Sequence, residues 1–149
     1  ISACLVGSEM CIRDRQYGEP VRPVKEVEAV GMEVSPKGET IIDFGQNLAG
    51  VLRVKVDLPA GTKLILDHFE TKDSQGNYFN NIAGADMTGH TQTDVYISNG
   101  KPAEYRPHFT YHGFRYVRVI CDAPVKPEDF TAVAHAGQFW ARDKEEKNI

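Results

Sequence analysis

The sequence predicts an all-β fold, an antiparallel sandwich or barrel, from three observations. Short runs of β-branched and aromatic residues are separated by Gly, Pro and Asn turn signals, as in consecutive antiparallel strands. Apolar and charged residues alternate over residues 52–58, which is the pattern of a strand with one buried face. No segment outside the charged tail at residues 142–148 carries a helical repeat longer than two turns.

The first 15 residues are expected to be foreign to the protein. The string CLVGSEMCIRDR at residues 4–15 matches a translated reading frame of the adapter used in transposase-based DNA library preparation. A signal peptide is the alternative, but its basic residues should precede the apolar run, and here they follow it. We therefore expect residues 1–15 to be a sequencing-adapter scar.

The remaining chain is expected to contain one domain. Residues 16–25 include two prolines and predict an extended linker, residues 26–135 predict the β domain, and residues 136–149 form a tail of uncertain structure. Within the domain, the first strand is predicted at residues 26–33 and a second, short one at residues 40–44.

The middle of the domain predicts a hairpin and a long loop. The alternating strand begins at Gly50, and a second strand follows at residues 63–70. The turn residues 59–61 lie between them, which is the spacing of a hairpin. The polar residues 71–92 are rich in Gly and Asn and predict a loop.

Further strands are predicted in the last third of the domain. Residues 93–98, 104–105 and 130–134 are short candidates, and residues 109–120 form the longest aromatic and β-branched run. Gly113 interrupts that run, which indicates a bulge or a close approach of another backbone.

Composition excludes several classes of protein. Without the scar only Cys121 remains, so we expect a buried thiol and neither a disulfide framework nor a CxxC metal site. The net charge of −4 without a basic stripe argues against nucleic-acid binding. No apolar run approaches the roughly 18 residues of a membrane span. The compartment stays open, because cytoplasmic, periplasmic and secreted proteins can all lack disulfides.

Two patterns resemble metal sites, and neither predicts one. His108 and His112 are four residues apart, which places two rings on one face only in a helix; in a strand the same spacing separates them by about 13 Å. Residues 73–77 offer oxygen ligands around Gly76, but turn chemistry explains them better than calcium binding. We expect no metal and no cofactor.

No pair of carboxylates stands out as a catalytic acid and base. Glycoside hydrolysis requires two positioned carboxyl groups, one of which carries a proton. The chain has neither a phosphate-binding loop nor a nucleophile elbow nor an HExxH motif. The candidates by residue type alone are Asp43, Asp67, Glu70, Asp94 and Glu104.

A cluster of aromatic residues offers the best candidate sugar platform. Alternation puts Phe114 and Tyr116 on one face and predicts that both lie in the core. Tyr111 and Arg115 are then the surface candidates, with Asn77 from the long loop as a third. A domain interface would explain these residues equally well.

Four motifs, in order, resemble a known family. They are DFGQNLAG at residues 43–50, LDHFE at residues 66–70, TDVYI at residues 93–97, and PHFTYHGFRYV at residues 107–117. Together they are similar to segments of the bacterial α-L-rhamnosidases of glycoside hydrolase family 78, over about residues 20–134.

The resemblance implies a concanavalin-like, jelly-roll-type β-sandwich that is non-catalytic. In that family the sandwich lies between an N-terminal sandwich and an (α/α)6 barrel, and the barrel carries both catalytic carboxylates. The implied partners are these two domains of the same parent chain, and the parent enzyme acts on rhamnose-containing glycosides by inverting hydrolysis. The alternative is a carbohydrate-binding module that recognises rhamnosyl ligands itself.

The resemblance also implies structural roles for the motif residues. Gln46 and Asn47 are expected to satisfy backbone groups at a strand crossover. Arg115 is expected to stack on an aromatic ring while donating to a carboxylate or carbonyl. The full structural set is Asp43, Gly45, Gln46, Asn47, Gly50, His112, Gly113, Phe114, Arg115 and Tyr116.

Overall fold

Antiparallel β-sheet accounts for almost all regular structure in the computed structural model. The structure describes residues 20–80 and 92–136, nearly all of them in one unit, Arg22–Ala136. The predictions for residues 1–15 and 142–148 lie outside the described residues. The described part of the chain contains no helix long and apolar enough to cross a membrane. The strands are β1 Arg22–Glu28, β2 Gly31–Val34, β3 Thr40–Val56, β4 Lys63–Phe69, β5 Thr93–Ile97, β6 Ala103–Tyr105, β7 His112–Cys121 and β8 Phe130–Ala136, and a 3₁₀ turn covers Pro127–Asp129.

The long strand β3 belongs to two layers of sheet. The first layer contains the first half of β3, which pairs with β2 and β7, and β7 continues to β4 and β5. The second half of β3 pairs with β6 and β8, and β8 continues to β1. Every pairing among these strands is antiparallel. Because side chains from both halves meet in one core, the sheet closes on itself as a sandwich, and the predicted fold class is confirmed.

The alternating segment of β3 supplies the centre of the core. Leu52, Val54 and Val56 are all buried, as predicted. Lys55 is exposed, whereas Arg53 is half-buried and forms an ion pair with Glu26 of β1. The period-two pattern therefore identified the buried face correctly.

The prediction that Tyr116 shares the core with Phe114 is wrong. Phe114 is fully buried against Phe44, with ring centroids 5.7 Å apart. Tyr116 lies on the outer face and stacks on Phe69 at 5.3 Å. The alternation breaks within β7, because Phe114 and Val117, three residues apart, both lie in the core.

The predicted hairpin around residues 59–61 is also wrong. β4 pairs with β5 and β7, and the second half of β3 pairs with β6 and β8. The turn therefore passes from one layer to the other. Local turn residues indicate where a strand ends, but they do not determine which strand becomes its neighbour.

The start of the domain differs from the expected linker. β1 begins at Arg22, within the segment predicted as linker, and β2 is a separate strand. Pro23 is tolerated because β1 is an edge strand that pairs only with β8, and the pairing register shifts between Pro23 and Lys25. Extended conformation was expected here, but its pairing to β8 was not.

The Val54→Asp substitution should abolish cooperative unfolding, because a carboxylate without a partner would occupy a site that is 1% exposed. Lys55→Asp is the matched control on the exposed face, where repulsion from the facing Glu104 should cost at most about 1 kcal/mol. Thermal unfolding followed by circular dichroism measures both. A cooperatively melting Val54→Asp variant would contradict the face assignment.

Candidate functional site

The DFGQNLAG motif forms a bulge within β3. Asp43 pairs with Tyr116 and Leu48 pairs with Phe114, so residues 44–47 all lie opposite Arg115 alone. Extra residues on one strand bend that strand and increase its twist. This bend allows the two halves of β3 to enter different layers.

Arg115 closes the bulge through Asp43. Its Nε and Nη2 atoms donate to the two carboxylate oxygens at 3.0 and 3.1 Å, and its guanidinium lies 4.9 Å from the centre of the Tyr116 ring. The N–H of Gly45 also donates to Asp43, at 2.6 Å. Burial alone would raise the pKa of Asp43, but these hydrogen bonds outweigh it and lower the pKa below its usual value.

Two glycines of the motif are required by geometry. Gly45 has a φ of 72°, a left-handed conformation that strains other residues. Gly50 is in direct contact with β8, because a Cβ atom at this position would lie 2.1 Å from the carbonyl oxygen of Val133. Any side chain at Gly50 would force the two strands apart.

The amide side chains of the motif do not have the roles expected of them. Gln46 and Asn47 are exposed, and Asn47 donates through Nδ2 to Glu70 Oε1 at 3.2 Å, not to the backbone. The same Glu70 oxygen lies 3.2 Å from the position of a Cβ atom on Gly113. Asn47 therefore ties the bulge to the end of β4, beside the glycine of β7.

A second arginine organises the outer face of the first layer. Arg118 donates to Asp67 at 2.6 and 2.9 Å and to Glu39 at 2.9 Å, and its guanidinium lies 3.8 Å from the centre of the Tyr78 ring. Burial alone would raise the pKa of Glu39, but hydrogen bonds from the Tyr78 N–H, from Arg118 and from Ser35 lower it. Asp67 and Glu39 thus share one positive charge.

Residues 73–77 form a closed turn. Asp73 Oδ1 accepts hydrogen bonds from the backbone N–H groups of Gln75 and Asn77, and Gly76 has a φ of 88°. Asn77 is fully buried; its Nδ2 donates to Asp73 and its Oδ1 accepts from the N–H of Lys37. This burial leaves Asn77 no surface for a sugar.

The three candidate sugar-binding residues are not brought together. Arg115 faces Asp43, Asn77 is buried in its turn, and Tyr111 is 71% exposed just before β7. No hydrogen bond or ring contact joins Tyr111 to the other two in the described ranges. Phe109, nearby in the chain, is fully exposed and has a left-handed φ of 61°.

Three polar residues that sequence spacing did not connect meet on the inner face of the first layer. His112 Nε2 lies 3.1 Å from Asp94 Oδ1, and His68 Nε2 lies 3.9 Å from Asp94 Oδ2. The two imidazole rings stack with centroids 4.3 Å apart. His108, which lies four residues before His112 and was expected to be too far from it to share a site, is exposed on a loop.

The cluster is buried and incompletely hydrogen-bonded. The side chain of His68 is fully buried, and those of Asp94 and His112 are about nine-tenths buried. Burial, with the neighbouring His112, lowers the pKa of His68 to about 4, so the neutral ring is favoured. His68 Nε2 and Asp94 Oδ2 have no hydrogen-bond partner among the described residues. Two imidazoles and one carboxylate form a ligand set that suits zinc.

Only knowledge of the strand register could have revealed this cluster. Asp94 lies opposite Leu66, and His68 follows Leu66 by two residues on the same face of β4. His112 begins β7, the other neighbour of β4. The available signal was a His or Asp on the inward face of each of three strands. Connecting these residues would have required knowledge of the strand order.

A cysteine and a cavity lie outside the clusters described above. Cys121 is a free cysteine that is half-buried and packs against the core, so it is less buried than expected. A cavity of about 440 Å³ lies between the end of β3 and the 3₁₀ turn, and Asp57 and Asp129 are among its lining residues.

A family model and a curated relative that match this chain both carry the name alpha-L-rhamnosidase. Residues 33–135 match the family model described as bacterial alpha-L-rhamnosidase concanavalin-like domain. Over 113 residues the chain is 37% identical to the alpha-L-rhamnosidase of Streptomyces avermitilis, covering 75% of this chain and 10% of that protein.

Solved structures agree with the sequence comparison. The crystal structure of the Streptomyces avermitilis enzyme complexed with L-rhamnose matches with a TM-score of 0.72 and 31% identity, over 82% of this chain and 12% of that one. The native Aspergillus terreus enzyme matches with a TM-score of 0.71 and 34% identity, over 80% of this chain and 14% of that one. The chain thus spans between 10% and 14% of the length of these relatives.

The Asp43→Asn substitution should reduce stability at pH 7 by roughly 1 kcal/mol, since it weakens a charge-assisted pair that is partly exposed. Because the folded-state pKa of Asp43 is lowered, its contribution is full above the unfolded pKa of about 3.9 and is lost as the pH falls through the folded pKa. Urea midpoints at pH 7 and pH 2 measure this.

The control is Glu26→Gln, which removes the charge of a more exposed ion pair with Arg53 and should leave the midpoint unchanged at either pH. A loss for Asp43→Asn that is as large at pH 2 as at pH 7 would mean that the charge of Asp43 does not stabilise the bulge.

Proposed function

Since the chain belongs to the family of bacterial alpha-L-rhamnosidase concanavalin-like domains, we propose that it is a non-catalytic structural domain of an α-L-rhamnosidase. The parent enzyme removes terminal α-L-rhamnose from glycosides by inverting hydrolysis. Its catalytic carboxylates belong to an (α/α)6 barrel, and the sandwich supports that barrel and an N-terminal sandwich in the same parent chain. Neither a nucleic acid nor a membrane is part of the proposed function.

The pairing of three carboxylates with arginines is the observation that carries this proposal. Asp43 is held by Arg115, and Asp67 and Glu39 are held by Arg118. A catalytic acid must retain a proton at the working pH, which requires a raised pKa. A guanidinium beside a carboxylate has the opposite effect, and the pKa values of Asp43 and Glu39 are lowered.

An apolar row on the outer face supports a contact with another domain. Ile65 of β4 pairs with Val95 of β5 on one side and with Ile120 of β7 on the other. Val95 and Ile120 are 52% and 45% exposed, and Ile97 on the same edge strand is 58% exposed. Adjacent exposed apolar side chains favour a surface that is covered in the parent enzyme.

The loop before β7 supports a second contact. Phe109 is fully exposed and holds a left-handed φ, a costly conformation for a bulky residue that is usually retained for function. Tyr111 is also exposed. An aromatic side chain presented in this way is suited to a pocket on a neighbouring domain.

A second candidate function, direct sugar binding, depends on the same loop. Exposed aromatic faces are suited to stacking on pyranose rings, and Phe109 and Tyr111 provide two of them. The burial of Asn77 and the pairing of Arg115 with Asp43 count against this candidate, because no polar side chain of the predicted set is left beside the rings.

Inverting hydrolysis requires an acid and a base about 6.5–9.5 Å apart, and the acid needs a raised pKa. The purified chain should not hydrolyse an aryl α-L-rhamnoside, because the pKa values of Asp43 and Glu39 are lowered instead. Release of the chromogenic aglycone over long incubation measures this, with a full-length α-L-rhamnosidase as the positive control. The proposal fails if turnover is found that one amide substitution removes, at Asp43, Asp57, Asp67, Glu70, Asp94, Glu104 or Asp129.

Titration with L-rhamnose should give no saturable heat, since the predicted binding residues do not converge. Tyr111→Ala is the matched variant, because it removes one exposed ring without affecting the core. Saturable binding that Tyr111→Ala abolishes would establish the binding-module function in place of the structural one.

A further inference from the structure

We propose that His68, Asp94 and His112 form a binding site for a divalent transition-metal ion of the zinc class, within the sandwich and between β4, β5 and β7. Each residue offers one ligand atom, a ring nitrogen or a carboxylate oxygen, and the three atoms lie within 4.8 Å of one another. The site departs from the sequence-based expectation of no metal.

The hydrogen bond of His68 fixes the direction of its lone pair. His68 Nδ1 lies 3.0 Å from the backbone carbonyl oxygen of Gln92, and a carbonyl only accepts hydrogen bonds. Nδ1 therefore carries the ring proton. In the neutral ring, Nε2 is then an acceptor, and it faces Asp94 Oδ2 at 3.9 Å.

Two buried acceptors that face each other require a cation or a donor between them. Neither His68 Nε2 nor Asp94 Oδ2 has a hydrogen-bond partner in the part of the chain that the structure describes, and an unsatisfied buried polar group costs free energy. A proton on Nε2 is one solution, but it would place a charged imidazolium at a side chain that is fully buried. A divalent metal ion satisfies both atoms at neutral pH.

The surroundings of His68 match those of a metal ligand. Metal-bound histidines commonly donate their other ring N–H to a backbone carbonyl or a carboxylate, which fixes the ring. The Nδ1–H bond from His68 to Gln92 has this form. Gln92 also supports β7 beside His112, since its Oε1 accepts a hydrogen bond from the N–H of Gly113 at 3.0 Å.

Binding requires one ring to rotate. The rings are 25° from parallel with centroids 4.3 Å apart, so the in-plane lone pairs of their Nε2 atoms do not converge on one point. His68 is held by Gln92, whereas the ring of His112 bonds only Asp94 within the described residues and lies at the edge of the cluster. His112 is therefore the ring that turns, exchanging its Asp94 bond for the metal.

Zinc titration of the complete chain, after removal of metal with a chelator, tests the site. Calorimetry should show one Zn²⁺ ion bound per chain, and saturating Zn²⁺ should raise Tm. His112→Gln keeps a donor for Asp94 but removes a ligand, and it should weaken Zn²⁺ binding by at least about tenfold. The matched control, His108→Gln, makes the same change at an exposed histidine and should bind as the wild type does.

Nitrogen NMR of the wild-type imidazole rings gives a result that does not depend on any variant folding. Added Zn²⁺ should shift the Nε2 resonances of His68 and His112 and leave those of His108 and His135 unchanged. The site is refuted if the wild type binds no Zn²⁺, if His112→Gln binds as tightly as the wild type, or if the shifts fall on the other histidines. If cysteine thiolates bound the Zn²⁺ ion, His112→Gln would bind as tightly as the wild type.

Discussion

The bulge at residues 44–47 is the constraint on which both layers depend, because it allows one strand to hydrogen-bond in two sheets. The added residues bend β3, and the Asp43 carboxylate fixes the bend through Arg115 and the Gly45 N–H. Beyond the bend, the bare Cα of Gly50 lets β8 approach β3. The apolar faces of the two halves of β3 then meet in one core.

Local alternation in the sequence predicted which side chains are buried, and it failed where the strand is irregular. The facing of Leu52 and Val54 depends only on the period of a regular strand, so it was predictable. The facing of Tyr116 depends on an irregular position within β7 between Phe114 and Val117, and one such position reverses every side chain beyond it. The false hairpin at residues 59–61 has a similar cause, since pairing is decided by contacts far apart in sequence.

In the candidate sites, too, contacts between neighbours in the chain were predictable, and contacts between residues distant in sequence were not. The turn that closes around Asp73 involves neighbours in the chain, and its residue types predicted it. Sequence spacing gave His112 no partner, because a strand separates it from His108, whereas strand register places it with His68 and Asp94. Asn77 was predicted to be a surface residue, but the backbone N–H of Lys37, which is distant in sequence, donates to its side-chain oxygen.

The two faces of the first layer treat their charges differently. On the outer face, Asp67 and Glu39 are each paired with Arg118, as a structural role requires, and neither carboxylate has a buried atom without a partner. On the inner face, His68 and Asp94 retain buried atoms without partners among the described residues, and an unsatisfied buried polar group costs free energy. Arg118 satisfies the first arrangement within the domain itself, whereas no described residue satisfies the second. A bound cation explains the second, because it converts an unfavourable contact between two acceptors into a link between three strands.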